Sequence, residues 1–305
     1  KKIQDYFPGG YIKLRSDGTI EQIIEKPTRG EEPSNLVRLV AEIVPSLEKL
    51  VTEYDINDNP KEGEVALLNK AFKKGDRGIS FITSDFWTPI KYPWHILDVM
   101  NYFFKEVREH RGKNIVTKQN VIIDGQVWIG DNVKIFENTK IVGPCWIGDN
   151  TIIGNNNIIR QSHIGANCVT GFNTDITRSY VGDNCWFHSN YIGDSVLEGN
   201  ISMGSGSVLA NLRLDEGEIF SVVKGERMST KRTKLGAVIA KDVRIGVNTS
   251  IMPGVKIGTN SMIGAGLVVD CDIAENSFCY GKTEFVLKPN EKRITQERDK
   301  FVKKL

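Results

Sequence analysis

A six-residue alternation of apolar and polar positions runs from about Val121 to Val269. The stretch begins VIIDGQ, VWIGDN, VKIFEN, TKIVGP, CWIGDN, TIIGNN, NIIRQS, and isoleucine holds the third place of every hexad. The markers in phase are Ile123, Ile129, Ile135, Ile141, Ile147, Ile153, Ile159 and, after a break, Ile239, Ile245, Ile251, Ile257, Ile263 and Val269. A fixed six-residue period with Gly-Asp-Asn corners is typical of a β-helix. Because side chains alternate along a strand, we expect the isoleucines to point inward.

The residues before the hexads predict a mixed α/β region. The predicted elements are strands over Tyr11–Leu14, Ile20–Ile24 and Ile79–Trp87 and helices over Asn35–Glu53, Glu62–Lys74 and Trp94–His110. A polar link over residues 111–120 leads into the repeats. The chain is therefore expected to divide into residues 1–112 and a β-helix domain over 113–305.

The hexad pattern has three irregular parts. After Ile159 the phase slips, with the next markers at Ile164, Ile176 and Val181. An insert over about 212–234 predicts a hairpin, with turns at Glu216-Gly217 and Lys224-Gly225. Beyond Asp272 the sequence FCYGKTEFVLKP predicts a strand pair, and Asn290–Leu305 predicts a charged helix that caps the open end.

Composition narrows the class of protein. The formal charge is +2 and no long basic run is present, so nucleic acid is not an expected partner. No apolar stretch is long enough to span a bilayer, and no secretory signal opens the chain. The five cysteines form no CxxC pair, which indicates neither a disulfide framework nor a zinc site. These features predict a cytoplasmic protein without a metal in its repeats.

Two sets of side chains in the irregular coils are candidates for chemistry. If Phe187 points inward, His188 points out of the prism, and so does Asn190; an outward imidazole suits general-base work near neutral pH. Arg160 and Arg178 are separated by three hexad lengths, which is one turn if three hexads make a coil. We expect the two guanidinium groups to stack on neighbouring coils as a clamp for a phosphate.

The segment NCWFHSNYIGDS followed by SMGSGSVLAN resembles the His-x-x-Tyr-x-Gly-Asp, Gly-x-Gly and Asn pattern of the bacterial bifunctional N-acetylglucosamine-1-phosphate uridyltransferase/glucosamine-1-phosphate acetyltransferase family. The resemblance implies a left-handed parallel β-helix, a homotrimer, and acetyl-CoA-dependent N-acetylation of an amino-sugar 1-phosphate in UDP-N-acetylhexosamine biosynthesis. It makes His188 the general base and gives Asn211 and Tyr191 positioning roles. Arg160 and Arg178 fall on the family's phosphate positions.

Further contacts with the substrates are expected near these positions. Gly204 and Gly206 are expected to leave backbone amides accessible to an oxyanion. Ser205 between them, and Lys234, are candidate coenzyme contacts, while Lys224 is a candidate contact for the phosphate. The family has asparagine where this chain has Ser202 and tyrosine where it has Leu212. The insert is closer to archaeal-type members, so glucosamine and galactosamine phosphates both stay open.

The N-terminal region resembles a second family. SDGTIEQIIEKP is similar to the late part of sugar-1-phosphate nucleotidylyltransferases, which places Glu25 and Lys26 near a sugar, and FWTPIKYPWHIL is similar to their Trp-x-Asp-Ile-Gly-x-Pro segment. The aspartate expected to hold Mg²⁺ falls at Pro89, and the family's glycine-rich nucleotide loop does not occur. Nucleotidyl transfer and its Mg²⁺ are therefore expected only in a longer chain, with this domain partial or degenerate.

Two other functions remain open from sequence. One is a nucleotidylyltransferase fragment whose β-helix serves only oligomerisation. The other is a non-catalytic regulatory subunit, as some relatives in translation-factor complexes are. In both, His188 would be dispensable.

Overall fold

The computed structural model describes residues 1–3, 6–39, 41–44, 46, 48, 63–282, 284 and 286–291. They belong to two compact units, Lys1–Trp87 and Thr88–Leu305. The division expected from the sequence lies later, between residues 112 and 113. Trp94, Leu97 and Met100 fall in the second unit because they pack in one apolar cluster with Val196 and Leu235 of the repeats.

The first unit contains one hairpin and one described helix. Strands β1 (Gly10–Leu14) and β2 (Ile20–Glu25) pair antiparallel, and helix α1 (Gly63–Lys73) packs on β2, so these three predictions are confirmed. Ile20, Ile23, Val65 and Phe72 form their shared core. The core is small, as expected where only two strands and one helix meet.

Two predictions for the first unit differ from the structure. The predicted helix Asn35–Glu53 is absent over residues 35–39 and 41–44, because Leu36 and Val37 are taken up in bridges to Lys2 and Tyr11, whereas Glu48 is helical. Residues 40, 45, 47 and 49–53 lie outside the described residues. Ile79–Trp87 is not a strand either, because only Ile79 makes a bridge, to Thr19.

The second unit is a parallel β-helix of three sheets, here called faces. The first face comprises β3 (His110–Arg111), β6 (Val127–Ile129), β9 (Cys145–Ile147), β12 (His163–Ile164), β15 (Tyr180–Val181), β18 (Val196–Leu197), β23 (Val238–Ile239) and β26 (Lys256–Ile257). The second face comprises β4 (Val116–Thr117), β7 (Lys134–Ile135), β10 (Ile152–Ile153), β13 (Val169–Thr170), β16 (Trp186–Phe187), β19 (Ser202–Met203), β24 (Arg244–Ile245), β27 (Met262–Ile263) and β29 (Phe278–Cys279). The third face comprises β5 (Ile122–Asp124), β8 (Lys140–Val142), β11 (Ile158–Arg160), β14 (Asp175–Thr177), β17 (Tyr191–Gly193), β20 (Val208–Leu209), β25 (Ser250–Ile251) and β28 (Val268–Val269).

The interior of the β-helix is built from the hexad markers. The isoleucines from Ile129 to Ile159 and from Ile239 to Ile263, with Val269, are buried in one continuous cluster, so their inward direction is confirmed; Ile123 in an early coil is half-buried. All five cysteines are free thiols, and three of them lie in this interior. Burial raises the pKa of the Cys145 thiol to about 11, so this thiol stays protonated and packs as a small apolar group.

Asparagines turn the corners between faces. They adopt the left-handed backbone region, which few residues other than glycine, asparagine and aspartate tolerate; they are Asn114, Asn120, Asn132, Asn138, Asn150, Asn156, Asn167, Asn173, Asn184, Asn200, Asn248, Asn260 and Asn276. Their amides also bond from coil to coil, as from Asn114 Nδ2 to Asn132 Oδ1 and from Asn132 Nδ2 to Asn150 Oδ1, both at 3.0 Å. The Gly-Asp-Asn signature is thus a requirement of the corners.

A helix and a hairpin cover part of the first face. Helix α2 (His95–Phe103) is shorter than the predicted Trp94–His110, because His110–Arg111 is paired with Trp128–Ile129 as the first strand of the β-helix. Strands β21 (Ile219–Val223) and β22 (Glu226–Arg232) form the predicted hairpin. Its tip is the predicted Lys224-Gly225 turn, whereas the earlier turn lies at Leu214–Asp215.

The two ends of the β-helix differ from expectation. The polar residues expected as a link, 111–120, already form coil, with Val116–Thr117 in β4. After Asp272 the chain adds the single strand β29 and no strand pair among the described residues. Residues 292–305 of the predicted capping helix lie outside the described residues. None of the described helices is long and apolar enough to cross a membrane.

Candidate active site

Three successive coils in the middle of the β-helix are shorter than three hexads. Ile159 pairs with Ile141, three full hexads earlier, but its next partner, Ile176, comes one position short of three hexads later. Ile176 in turn pairs with Ile192, two positions short of three hexads. One residue is lost at each of four corners, and the buried positions stay in register. These corners lie between Ile159 and Ile164, Ile176 and Val181, Phe187 and Ile192, and Ile192 and Leu197. This is the phase slip seen in the sequence, and the polar candidates lie at these shortened corners.

His188 lies at the shortened corner between the second and third faces. Its side chain is exposed, while Phe187 before it is fully buried, so the outward direction of His188 is confirmed. The His188 amide donates to Asn190 Oδ1 at 2.8 Å, and its carbonyl accepts from Thr174 Oγ1. Gly171 lies below it, where an added Cβ would come within 2.7 Å of the His188 carbonyl oxygen. The backbone of His188 is therefore held on two sides.

Two expectations about this corner are wrong. Asn190 points inward, because its Nδ2 donates to the carbonyls of Gly204 at 2.9 Å and Ser207 at 3.0 Å and so closes the shortened corner. The amides of Gly204 and Gly206 are not accessible to an oxyanion: they donate to the carbonyls of Ile245 and Ser189, both at 2.8 Å. The pairing of neighbouring coils uses up both donors.

The two arginines do not stack as predicted. Arg160 is in register with Thr177, because the coil between them is one position short of three hexads, and Arg178 lies one position further on. Each guanidinium pairs with an aspartate instead. Arg160 Nη2 donates to both oxygens of Asp175 at 3.0 and 2.9 Å, and Arg178 binds Asp194 through Nε and Nη2, both at 2.7 Å.

These pairs belong to a larger set that we call the Arg–Asp cluster. Its members are Arg160, Asp175, Arg178, Tyr191, Asp194 and Asn211. Tyr191 Oη donates to Asn211 Oδ1 at 3.3 Å, and Asn211 Nδ2 donates to Asp194. Gly193 makes this possible, since an added Cβ would come within 2.6 Å of the Asn211 amide and 2.7 Å of Tyr191 Oη. The structure thus brings four of the predicted residues together.

Charge in the cluster is balanced between the arginines and the aspartates. The hydrogen bonds from Arg178 to Asp194 raise the pKa of its guanidinium further, and burial together with Asp175 and Asp194 raises the pKa of Tyr191, so Tyr191 stays a neutral phenol. Nε and Nη2 of Arg178 both donate to the Asp194 carboxylate. Arg160 keeps a buried Nε without a hydrogen-bond partner among the described residues. Arg160 is therefore the cation with capacity for an anionic ligand.

Sequence reasoning missed Asp175 and Asp194 as members. Asp194 stands inside the Tyr-x-Gly-Asp motif, where a Gly-Asp step by itself indicates a turn. It does occupy the left-handed corner position, with φ 45°, and its carboxylate is nevertheless buried against Arg178. Asp175 pairs with Ile158, one position short of three hexads, so the shortened period was the signal that could have placed it beside Arg160.

The other predicted contacts lie elsewhere. Ser205 is exposed at the corner after Gly204, and Lys234 is exposed in a bridge to Leu212 beside Asn211. Lys224 is at the hairpin tip, in the left-handed region with φ 52°. Glu25 and Lys26 belong to the first unit, where Glu25 lies 3.8 Å from the buried Arg38 guanidinium. The structure therefore groups none of these five with the Arg–Asp cluster, although Lys234 is near it through Leu212.

Comparison with known proteins agrees with this architecture. A family model described as bacterial transferase hexapeptide (six repeats) matches residues 126–161 and 236–271. A bifunctional protein GlmU of Methanococcus vannielii is 35% identical over 285 residues, 92% of this chain and 68% of the relative. A bifunctional sugar-1-phosphate nucleotidylyltransferase/acetyltransferase of Sulfurisphaera tokodaii is 34% identical over 273 residues, 88% of this chain and 67% of the relative.

The chain belongs to the bifunctional GlmU family. Among solved structures, UDP-N-acetylglucosamine acyltransferase from Campylobacter jejuni matches 56% of this chain and 66% of its own, at 17% identity and a TM-score of 0.44. The two stretches that match the hexapeptide model flank His188 and the Arg–Asp cluster except Arg160, which lies at the end of the first stretch. In this GlmU-family chain the candidate site thus occupies the shortened coils that depart from the regular repeat.

Removing the Asp194 carboxylate is expected to destabilise the β-helix. Asp194→Ala leaves the Arg178 guanidinium and the Asn211 amide without their shared partner. Because the Arg178 side chain is more than one-third exposed, we expect a loss of about 1–3 kcal/mol, below the usual cost of breaking a fully buried pair. Urea unfolding followed by circular dichroism measures the change.

The control for this prediction is a second Arg–Asp pair. Arg213 and Asp215 pair at the surface of the insert, so Asp215→Ala should leave the unfolding midpoint unchanged. Equal losses in the two variants would show that burial of the Asp194 pair contributes nothing.

Proposed function

We propose that the chain transfers an acetyl group from acetyl-CoA to the amine of a hexosamine 1-phosphate, glucosamine or galactosamine. The observation that carries the proposal is the position of His188. Its exposed imidazole stands on a shortened corner, three residues before Tyr191 of the Arg–Asp cluster. An acid–base group and an arginine with an unpaired donor thus lie on adjoining coils, as transfer to a phosphorylated amino sugar requires.

His188 acts as the general base. The amine attacks the thioester carbonyl as a neutral nitrogen, and His188 accepts the proton that this nitrogen sheds as the new N–C bond forms. The C–S bond then breaks, and the same proton passes from the imidazolium to the thiolate sulfur. Imidazole suits both halves of this exchange because it titrates near neutral pH.

Arg160 holds the phosphate. Its Nε and Nη1 make no hydrogen bond to any described residue, whereas Arg178 is committed to Asp194. A phosphate that binds the Arg160 guanidinium replaces Asp175 as its partner. The Asp175 carboxylate is then available to an amine or hydroxyl of the sugar. Tyr191 and Asn211, held by each other and by Asp194, position the sugar and the base. The clamp is therefore one arginine, with Arg178 as support for the neighbouring wall.

The acetyl-CoA arm fits a column of glycines beside His188. Gly204, Gly246 and Gly264 follow the paired residues Met203, Ile245 and Ile263 on the three coils beyond His188. With coils about 4.8 Å apart, the column runs about 14 Å. Val247 packs against Gly204 and Tyr280 against Gly264, so the arm would lie along the backbone strip beside these two side chains. Ser205 adjoins the column and, with Lys234 and Lys224, stays a predicted contact.

We propose a homotrimer because two faces carry exposed apolar side chains. On the second face Trp186, Met262 and Phe278 are more than half exposed, and on the third face Ile122 and Val268 are as well. Neighbouring β-helices would cover these side chains and complete the acceptor site between them. A role in UDP-N-acetylhexosamine synthesis is proposed from the resemblance to the bifunctional uridyltransferase/acetyltransferase family.

Acetyl-CoA-dependent thiol release tests the proposal. We expect turnover with glucosamine 1-phosphate or galactosamine 1-phosphate and little with the unphosphorylated sugars. Arg160→Gln should raise KM for the sugar phosphate about 10- to 150-fold, which corresponds to about 1.5–3 kcal/mol for hydrogen bonds to a charged group. Arg213→Gln, which removes another aspartate-paired arginine, should leave KM unchanged.

No turnover with either sugar phosphate would contradict acetyl transfer and favour a β-helix that serves only assembly. Turnover with an unchanged KM in Arg160→Gln would keep the reaction and remove Arg160 from the phosphate site.

A further inference from the structure

A cavity of about 740 Å³ lies between helix α2 and the first face of the β-helix. One wall is the helix and the turn after it, with Ile96, Val99 and Phe103. The opposite wall is a row of aromatic side chains. The volume is within the range of about 300–1,000 Å³ that small-molecule sites occupy. Its lining is mainly apolar, so it is a site for a ligand that buries apolar surface.

The row of aromatic side chains is a stack that we call the ring ladder. Its members on successive coils are His110, Trp128, Trp146, His163 and Tyr180. Neighbouring ring centroids are 5.0, 3.7, 6.4 and 4.7 Å apart, and the interplanar angles are all between 3° and 16°. Because the rings stack along the axis of the β-helix, they present their edges to the cavity. Ring edges are electropositive and attract the face of another aromatic ring.

Charges at the cavity exclude an anionic ligand. Glu106, Arg108 and Glu109 are the Asp, Glu, Lys or Arg residues that line it, and all three lie in the turn after α2. The Arg108 guanidinium donates to the carbonyls of Lys105 and Val107 and is 3.6 Å from Glu106. The one cation is thus satisfied, and the carboxylates outnumber it. A phosphate or a sulfonate would meet net negative charge here.

His163 supplies the hydrogen-bond acceptor of the ring ladder. Its Nδ1 lies 3.0 Å from the Val181 carbonyl oxygen, which can only accept, so Nδ1 carries the proton and Nε2 the lone pair. Burial lowers the pKa of this imidazole and keeps it neutral. No described residue donates to Nε2. A ligand that carries an N–H or O–H group would satisfy it.

The cavity is distinct from the candidate active site. None of its lining residues belongs to the Arg–Asp cluster, and His188 lies at a corner that does not border the first face. The substrates proposed above carry phosphate groups, which the charge at the cavity disfavours. Ligand binding in the cavity is therefore independent of the proposed acetyl transfer.

We propose that this cavity binds an uncharged planar aromatic molecule with one N–H donor. The ligand ring packs against the edges of the ring ladder, and its N–H donates to His163 Nε2. The side chains of α2 cover its other face.

Binding is measured with N-phenyl-1-naphthylamine, an uncharged probe whose fluorescence rises in apolar surroundings and whose two aromatic groups flank one N–H. We expect a saturable rise. 1-Benzylnaphthalene, which has CH₂ in place of the N–H, should compete at least tenfold more weakly, because it leaves Nε2 unpaired. The sulfonated analogue 1-anilinonaphthalene-8-sulfonate should also compete at least tenfold more weakly.

Variants locate the probe. Val99→Trp should weaken binding at least fivefold by narrowing the cavity. His163→Phe should weaken N-phenyl-1-naphthylamine at least fivefold without weakening 1-benzylnaphthalene. Trp186→Ala, on the second face, should change neither. His163→Phe keeps the stack and guards against a folding defect in Val99→Trp. No saturable rise, equal affinity for the three compounds, or a loss in Trp186→Ala instead of the cavity variants would overturn the proposal.

Discussion

Replacing His188 by alanine is expected to lower the turnover number for acetyl transfer by about 10²- to 10⁴-fold, the usual contribution of a positioned general base. KM for the sugar phosphate should change little, because the proposed mechanism assigns the phosphate to Arg160 and not to His188. The fall in kcat/KM toward acid pH that comes from protonation of the sugar amine should remain, because the amine must be neutral to attack. Added imidazole should restore part of the rate if the pocket left by the side chain admits it. Thiol release measured across pH gives all of these results.

The matched control for His188→Ala is His110→Ala. His110 is another exposed histidine of the β-helix, on the first face and away from the Arg–Asp cluster. Its removal should leave kcat within a factor of two while both variants keep the circular dichroism of the parent chain. Turnover that persists in His188→Ala would assign proton transfer to another group, and Asp175, whose carboxylate the bound phosphate would leave available, is then the next candidate to test.

The regular part of the fold was predictable because each position of a hexad has one physical task. Ile141 and Ile159 must be buried, and Asn132 and Asn150 must adopt the left-handed region. The same few residue types therefore recur every six residues. Helix α2 was harder to bound. Its apolar spacing runs on toward His110, yet the helix ends at Phe103, and His110–Arg111 pairs with Trp128–Ile129, residues distant in sequence. Periodicity records local geometry and carries no information about such competition.

The candidate site was predictable in its members but not in its arrangement. A spacing of three hexads placed Arg178 over Arg160, yet a coil shortened by one residue moves Arg178 to a corner and turns it toward Asp194. The direction of Asn190 was wrong for a different reason. Asn190 fills the inward corner position that Asn157 and Thr174 hold on earlier coils, where each side chain donates to a carbonyl of the next coil. Residue types indicate chemistry, whereas the register of each coil decides which groups meet.

A methyl group added below the catalytic corner is expected to separate activity from stability. In Gly171→Ala the new Cβ would lie 2.7 Å from the His188 carbonyl oxygen and 2.8 Å from its Cα. Both are backbone atoms, so the corner that carries His188 must move. Overpacking of this kind costs about 1–3 kcal/mol. A shift of about 1 Å in a catalytic group can cost about 10²-fold in rate, so we expect kcat to fall by about that factor.

Gly148→Ala is the control that makes this result decisive. Its Cβ would lie 2.5 Å from the Ala166 nitrogen, a comparable collision with the backbone of the next coil, at the corner between the first and second faces. It should cost similar stability in urea unfolding but leave kcat unchanged, because the coil it displaces carries no residue of the candidate site near that corner. If Gly148→Ala lost as much activity as Gly171→Ala, the loss would come from general loosening of the β-helix, and His188 would not depend on the local shape of its corner.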